Sequence, residues 1–302
     1  MQRTKWPFVL ISISLFLISC QSQPKADPTY VAEINEWHQK RVERLKTETG
    51  WLNLAGLFWL QEGQNTFGSD TKNHLVFPEK AAPFLGTLIL KHGEVELQPN
   101  SKVEILQNNQ PVKKMTLIND NEKNTTVLNY GDLRWFVIKR GVRYGIRLRD
   151  LKHKLLDEFK GIERFAIDES WKVKALFEKY DPPKKIFIPD VTGNKNEAEC
   201  FGAYVFEKDG KNYRIEPTGR LTGKSMFLVF GDATNRKSTY GGGRFLYLPV
   251  PDENNEAIID FNKAYNPPCV FSPFATCPLP MEINILALEI TAGEKNWGDA
   301  HH

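Results

Sequence analysis

The residues whose types and spacing bear on chemistry gather near the C-terminus, in Asp260–Pro280, DFNKAYNPPCVFSPFATCPLP. Two of the chain's four cysteines, Cys269 and Cys277, stand eight positions apart there among five prolines. Three chemistries use such a pair: a metal clamp, a thiol nucleophile with a helper base, or a disulfide staple. Zinc takes about four Cys, His or carboxylate ligands, and no histidine lies between His153 and His301. The same gap speaks against Ser-His-Asp or Cys-His catalysis in this half, because an imidazole must reach the nucleophile. The pair reads as a disulfide first, with reduced buried thiols as the alternative. No metal and no cofactor is expected. Cys200 falls in an apolar strand pattern and reads as core.

Just ahead of the cysteines, Asp260, Asn262, Lys263, Tyr265 and Asn266 fall within seven residues. Donors and acceptors fixed in a proline-stiffened loop are what a binding site uses. The competing reading is that they satisfy the backbone of an irregular loop. Upstream, STYGGGRFLYLP has neither the GxxxxGK[ST] spacing of a phosphate loop nor the GxGxxG of a dinucleotide loop. Its glycines read as places of close backbone approach. Arg244 reads either as a bidentate ligand for an anion or as the partner of an internal acid such as Asp260. The candidate ligand set is Tyr240, Arg244, Asp260, Asn262, Tyr265 and Asn266, for a small molecule or a glycan. For the alternative, a histidine-independent hydrolase acting on glycans, the acid/base candidates are Asp260 and Glu282.

The elements that must position these residues are mostly strands. Asp27 and Pro28 mark a helix start. Val31, Ile34, Trp37, Val42 and Leu45 form its expected apolar face, and Gly50 its stop. His38 reads as a surface or packing residue. From Trp51 onward short alternating segments recur at intervals of about 8–12 residues, which predicts a sandwich or barrel. Lys139–Gly141 and Asp209-Gly210 read as hairpin turns. Arg147 and Arg149 alternate with Ile146 and Leu148 and are expected on the wet face of a strand. LKHKLLDEFKG interrupts the β pattern as a short helix or linker, placing a boundary near residues 155–170.

Composition excludes some partners. Removing residues 1–19 takes away Arg3 and Lys5 and leaves 38 basic against 37 acidic residues, a net of +1. Such a chain has no general electrostatic reason to bind nucleic acid. The start, MQRTKWPFVLISISLFLISCQSQ, has positive charge followed by an apolar run too short to span a bilayer. Its LISC ending resembles the lipobox of bacterial lipoproteins. That resemblance implies a signal peptide over residues 1–19, a lipid on Cys20, a tether over 20–29 and a place in the cell envelope. Gln21 leans the assignment to the outer membrane if the cell is Gram-negative.

Two further resemblances concern the folded part. NTFGSDTKNHLVFP (Asn65–Pro78) resembles the start of a forkhead-associated-type β-sandwich. Ser69 stands where that family's phosphothreonine-binding Arg follows the Gly, so the resemblance implies architecture and not phosphopeptide binding. GWLNLAGLFWL, RYGIRLRD, TYGGGRFLYLP, DFNKAYNPPCVFSPFATCPLP and AGEK, in that order, resemble a bacterial protein family of unknown function. The expected architecture is mainly β. An N-terminal helix and forkhead-associated-like sandwich occupy residues 30–160. A C-terminal antiparallel β domain, barrel or sandwich, with a Pro-rich loop occupies residues 161–302.

Overall fold

The computed structural model describes residues 26–298. The expected signal peptide, residues 1–19, and the expected lipidation residue Cys20 lie outside the described residues. Strands take 42% and helices 13% of the structure, so the chain is mainly β, as its alternating segments predict.

Helix α1 (Pro28–Lys46) opens the fold. The Asp27 side chain accepts from the backbone N–H of Thr29 and Tyr30, two donors that a helix start leaves open. The buried stripe is Tyr30, Ile34, Arg41 and Leu45, whereas Val31, Trp37 and Val42 are half-buried. The stripe is shifted because α1 faces carbonyls and carboxylates of the C-terminal half, which take a hydroxyl and a guanidinium.

Eleven strands follow: β1 (Leu54–Trp59), β2 (Gly63–Gly68), β3 (Leu75–Val76), β4 (Gly86–Lys91), β5 (Glu94–Pro99), β6 (Leu106–Gln107), β7 (Gln110–Pro111), β8 (Met115–Leu117), β9 (Leu128–Tyr130), β10 (Leu133–Arg140) and β11 (Arg143–Asp150). They form two sheets, ordered β1-β11-β10-β9-β6-β7 and β3-β2-β4-β5-β8. The inner faces close on Phe67, Leu88, Leu97, Trp135 and Leu148. Phe67 and Phe77 meet Trp135 edge-on at 5.9 and 5.7 Å, the arrangement favoured by ring quadrupoles.

The short helix α2 (Leu155–Glu158) leads to the second half. There β12 (Lys172–Pro189), β13 (Lys195–Lys208), β14 (Lys211–Ile215), β15 (Ser225–Phe230), β16 (Arg244–Pro249) and β17 (Glu256–Asp260) form a sheet β14-β13-β12-β17 and a ribbon β15-β16. Val173, Ala175 and Phe177 of β12 point inward while Lys172, Lys174 and Leu176 point out, the period-2 signature of a half-buried strand. They pack with Tyr204, Phe206, Phe230 and Phe261. Asp209 and Gly210 take φ of 53° and 71° in the β13–β14 turn, as a type I′ hairpin requires.

A third apolar cluster joins the halves. Leu45 of α1, Leu52, Leu54 of β1, Phe245 of β16, and Cys269, Val270 and Phe271 of the Pro-rich loop pack together. Thus α1, placed with the sandwich by chain order, packs against the C-terminal half. Arg147 and Arg149 differ from expectation: both are buried at this junction. Arg147 Nη2 donates to Thr276 Oγ1 at 3.0 Å, and Arg149 Nη1 donates to Asn53 Oδ1 at 2.7 Å and to the Gly50 carbonyl. Burial lowers both guanidinium groups to about 10. Strand alternation says which residues share a face; what covers that face is decided by the junction.

Candidate functional site

The Pro-rich loop is a bracket. Cys269 and Cys277 are paired, their Cα atoms 6.2 Å apart, and the Cys269 N–H donates to Cys277 Sγ. The loop adds to the end of β12: Val191 N–H donates to the Cys277 carbonyl at 3.0 Å, and Leu279 N–H to the Pro189 carbonyl at 2.7 Å. Thr276 Oγ1 accepts from Arg140 Nε and Arg147 Nη2, both at 3.0 Å, which fastens the loop to the sandwich.

Most of the polar front is fastening too. Asp260 Oδ1 accepts from Tyr30 OH at 2.8 Å, and the same hydroxyl accepts from Asn262 Nδ2 at 2.9 Å. Asn262 Nδ2 also donates to the Asp168 carbonyl. Burial, then the Asp260 carboxylate, pushes the Tyr30 hydroxyl pKa up. Asn266 donates its backbone N–H to Glu294 Oε2 at 2.7 Å and its side chain to the Lys295 carbonyl. These three residues hold α1 and the 290s segment to β17, which is the loop-satisfying reading.

Arg244 is 0% exposed. It pairs with Asp232 Oδ2 at 2.7 Å, not with Asp260, and also donates to the Ile290 and Ala292 carbonyls. A guanidinium so enclosed has no face left for a ligand. The preceding Gly243 has φ +86°, and a Cβ there would lie 2.5 Å from the Phe230 carbonyl oxygen, so the glycines do serve close approach. Glu282 is exposed on the turn Glu282–Asn284, while Asp260 faces α1. The two carboxylates share no partner among the described residues, and no acid/base pair is assembled from them.

Tyr240 and Tyr265 each reach a cleft. Tyr240 lines one of about 510 Å³ with Trp59, Arg143 and Phe274. Tyr265 lines a larger one of about 930 Å³, within the range of small-molecule sites. One wall is α1, through Trp37, Lys40, Arg41 and Arg44. These positions are i, i+3, i+4 and i+7, so they share one face. The second wall is the turn Thr47–Trp51, held by Asn53 Nδ2 donating to the Thr47 and Glu48 carbonyls. The third is aromatic. Tyr265 pairs through its backbone with Phe245 on β16, N–H to carbonyl at 2.9 and 2.8 Å. Two residues along, on the same strand face, Tyr247 stacks on Tyr265 at 6.2 Å with the rings 19° from parallel. Tyr247 is 61% exposed, a large ring left open at the cleft. Trp37 meets Tyr265 at 6.4 Å.

Arg41 sits 4.8 Å over the Tyr265 ring and donates from Nη2 to the Asn266 carbonyl at 2.9 Å. Behind it lies Glu294, 1% exposed, with Oε1 3.6 Å from Arg41 Nε and 3.9 Å from His38 Nδ1. These three facing atoms have no hydrogen-bond partner among the described residues. Burial raises the Glu294 carboxyl pKa despite Arg41, and lowers the His38 imidazole. The C-terminal half, histidine-free over this stretch of sequence, thus receives an imidazole from α1. Sequence reasoning missed Trp37, Lys40, Arg41 and Arg44 as a set. The signal was the helical spacing of an indole with three cations, of which only the indole was placed, on the apolar face.

Flat aromatic faces and fixed cations suit a ligand with an apolar ring face and polar or anionic edges. No curated protein matches the chain. Among solved structures, an uncharacterised protein of Haloarcula marismortui is 26% identical over 50% of this chain and 82% of its own, with a TM-score of 0.40. The FhaA FHA domain, solved with the intracellular domain of another protein, is 18% identical over 31% of this chain and 97% of its own. An FHA domain from a study of phosphothreonine-dependent interactions is 16% identical over 31% and 92%. Both have a TM-score of 0.22. Residues 157–295, which make up the C-terminal half and its Pro-rich loop, match the profile of the family described as protein of unknown function (DUF1684).

Proposed function

We propose that the protein is a ligand-binding module of the cell envelope, tethered by a lipid on Cys20, that holds a saccharide in the cleft between α1 and the Tyr247–Tyr265 pair. The cleft itself carries the reading: Trp37, Trp51, Tyr247 and Tyr265 line it with Lys40, Arg41 and Arg44. A pyranose ring has an apolar C–H face bounded by hydroxyls. Burying that face on an exposed tyrosine removes apolar surface from water, while the cations and the Thr47–Gly50 backbone offer donors to the edges. The disulfide suits an oxidising compartment outside the cytoplasm, in keeping with the export signal. Two experiments test the two parts. Saccharides should raise the melting temperature of the wild type, and Tyr265→Ala should abolish the shift; hits that survive Tyr265→Ala would refute the site. Cys20→Ala should release the protein from membranes, and unchanged membrane association would refute the tether.

A further inference from the structure

The charge of the cleft is one-sided. Its lining contains Lys40, Arg41 and Arg44 against a single acid, Glu43. Lys40 is engaged by Glu36, and Glu43 accepts from Gln39 Nε2 at 3.0 Å. Arg44 is exposed and makes no ion pair within 4 Å among the described residues. Arg41 is a built-in cation, more than nine-tenths buried, clamped between the Tyr265 ring and the Asn266 carbonyl. The carboxyl that faces it, Glu294, stands on its far side in the interior at 3.6 Å and forms no hydrogen bond with it. Burial raises the pKa of that carboxyl. Arg41 and Arg44 are three positions apart on α1, so their side chains are neighbours. A guanidinium holds a carboxylate or a phosphate through paired N–H donors.

Resting on the saccharide reading above, we propose that the cleft selects a saccharide bearing an acidic group, carboxylate or phosphate, with its ring face on Tyr265 and Tyr247 and its anion held by Arg44 and Arg41. Arg44 supplies the open fork and Arg41 the fixed charge beneath it. Trp37 and Trp51 close the two sides of the ring.

Calorimetric titration of the full-length protein in detergent tests this with three probes: galactotriose, trigalacturonate and galactose 6-phosphate. The first two differ in replacing each ring's hydroxymethyl group by a carboxylate, and the third separates phosphate from carboxylate as the anion. Trigalacturonate or galactose 6-phosphate should bind about tenfold or more tightly than galactotriose, the scale of a charge-assisted contact. Arg44→Gln, at an exposed position, should remove that advantage, so that the acidic probes bind this variant no more tightly than galactotriose does. Tyr265→Ala should weaken all three. Raising salt from about 0.05 to about 0.5 M should weaken only the acidic probes. Equal affinity for galactotriose and the acidic probes, or an acidic preference that persists in Arg44→Gln, would overturn the acid selectivity and leave the saccharide site standing. Binding by none of the three would overturn both.

Discussion

Glu294 and Arg41 show how much of this site is decided by burial. Coulomb attraction favours two opposite charges 3.6 Å apart, yet burial raises the carboxyl pKa and lowers that of the guanidinium. Desolvation outweighs attraction where the geometry makes no hydrogen bond. The pH dependence follows from the sign. A carboxyl whose folded pKa is raised contributes stability that is present below the unfolded value, 4.5. That stability is lost as pH rises through the folded pKa, because the unfolded chain ionises first. Glu294→Gln removes this titration. Its stability relative to wild type should therefore increase as pH is raised from 4.5, in urea unfolding followed by near-UV signal. A stability difference independent of pH would show that folding does not raise the pKa of Glu294. Arg41 and Glu294 were not legible as a pair in sequence, since they stand 253 positions apart. The sequence quotes each only as one charge among many.

At the scale of elements, α1 is where legibility and its limit are clearest. Asp27 and Pro28 announced its start by a local rule, the cap of open backbone donors, and the structure starts the helix there. Its docking was not announced. Tyr30 OH bridges Asp260 and Asn262, 230 and 232 positions away, and nothing in the local pattern distinguishes a tyrosine that reaches a carboxylate from one that lies in oil. Tyr30→Phe keeps the ring and deletes the bridge. It should cost about 1–3 kcal/mol, the scale for leaving buried polar groups unpaired. Hydrogen exchange should then accelerate first in α1, because the opposite end of the helix keeps Leu45 in the junction cluster. Unchanged stability in denaturant titration would mean that Asp260 and Asn262 are satisfied without α1. The hairpins were legible for the same local reason as the cap: Asp209-Gly210 supplies the two left-handed residues its turn needs.

Over the whole molecule, the mainly β class was readable from period-2 segments. The join between regions was not, because it uses residues that alternation assigns to water. Arg147 lies opposite Ile146 and Leu148 along β11, as expected, but Thr276 of the Pro-rich loop covers it. The loop opened as a candidate for thiol or metal chemistry and ends as the bracket between sandwich and C-terminal sheet. Thr276→Val removes the oxygen that accepts from both Arg140 and Arg147. The loss should be about 1–3 kcal/mol, since Arg147 is buried and Arg140 partly so. Exchange should rise at both loop and β11; a variant as stable as wild type would show that the bracket works through packing alone. The same join sets α1 against Tyr265 and so creates the cleft, which neither half contains by itself.

That claim, a ligand site made by α1 and the Tyr247–Tyr265 pair, is tested most directly by the indole N–H resonances of the six tryptophans after Cys20 during titration with trigalacturonate. Trp37 and Trp51 line the cleft, Trp59 lines the second cleft, and Trp135 and Trp171 belong to the two cores. The account predicts saturable shifts at Trp37 and Trp51 with the core signals unmoved. Shifts centred on Trp59, or no shift at any indole, would contradict it.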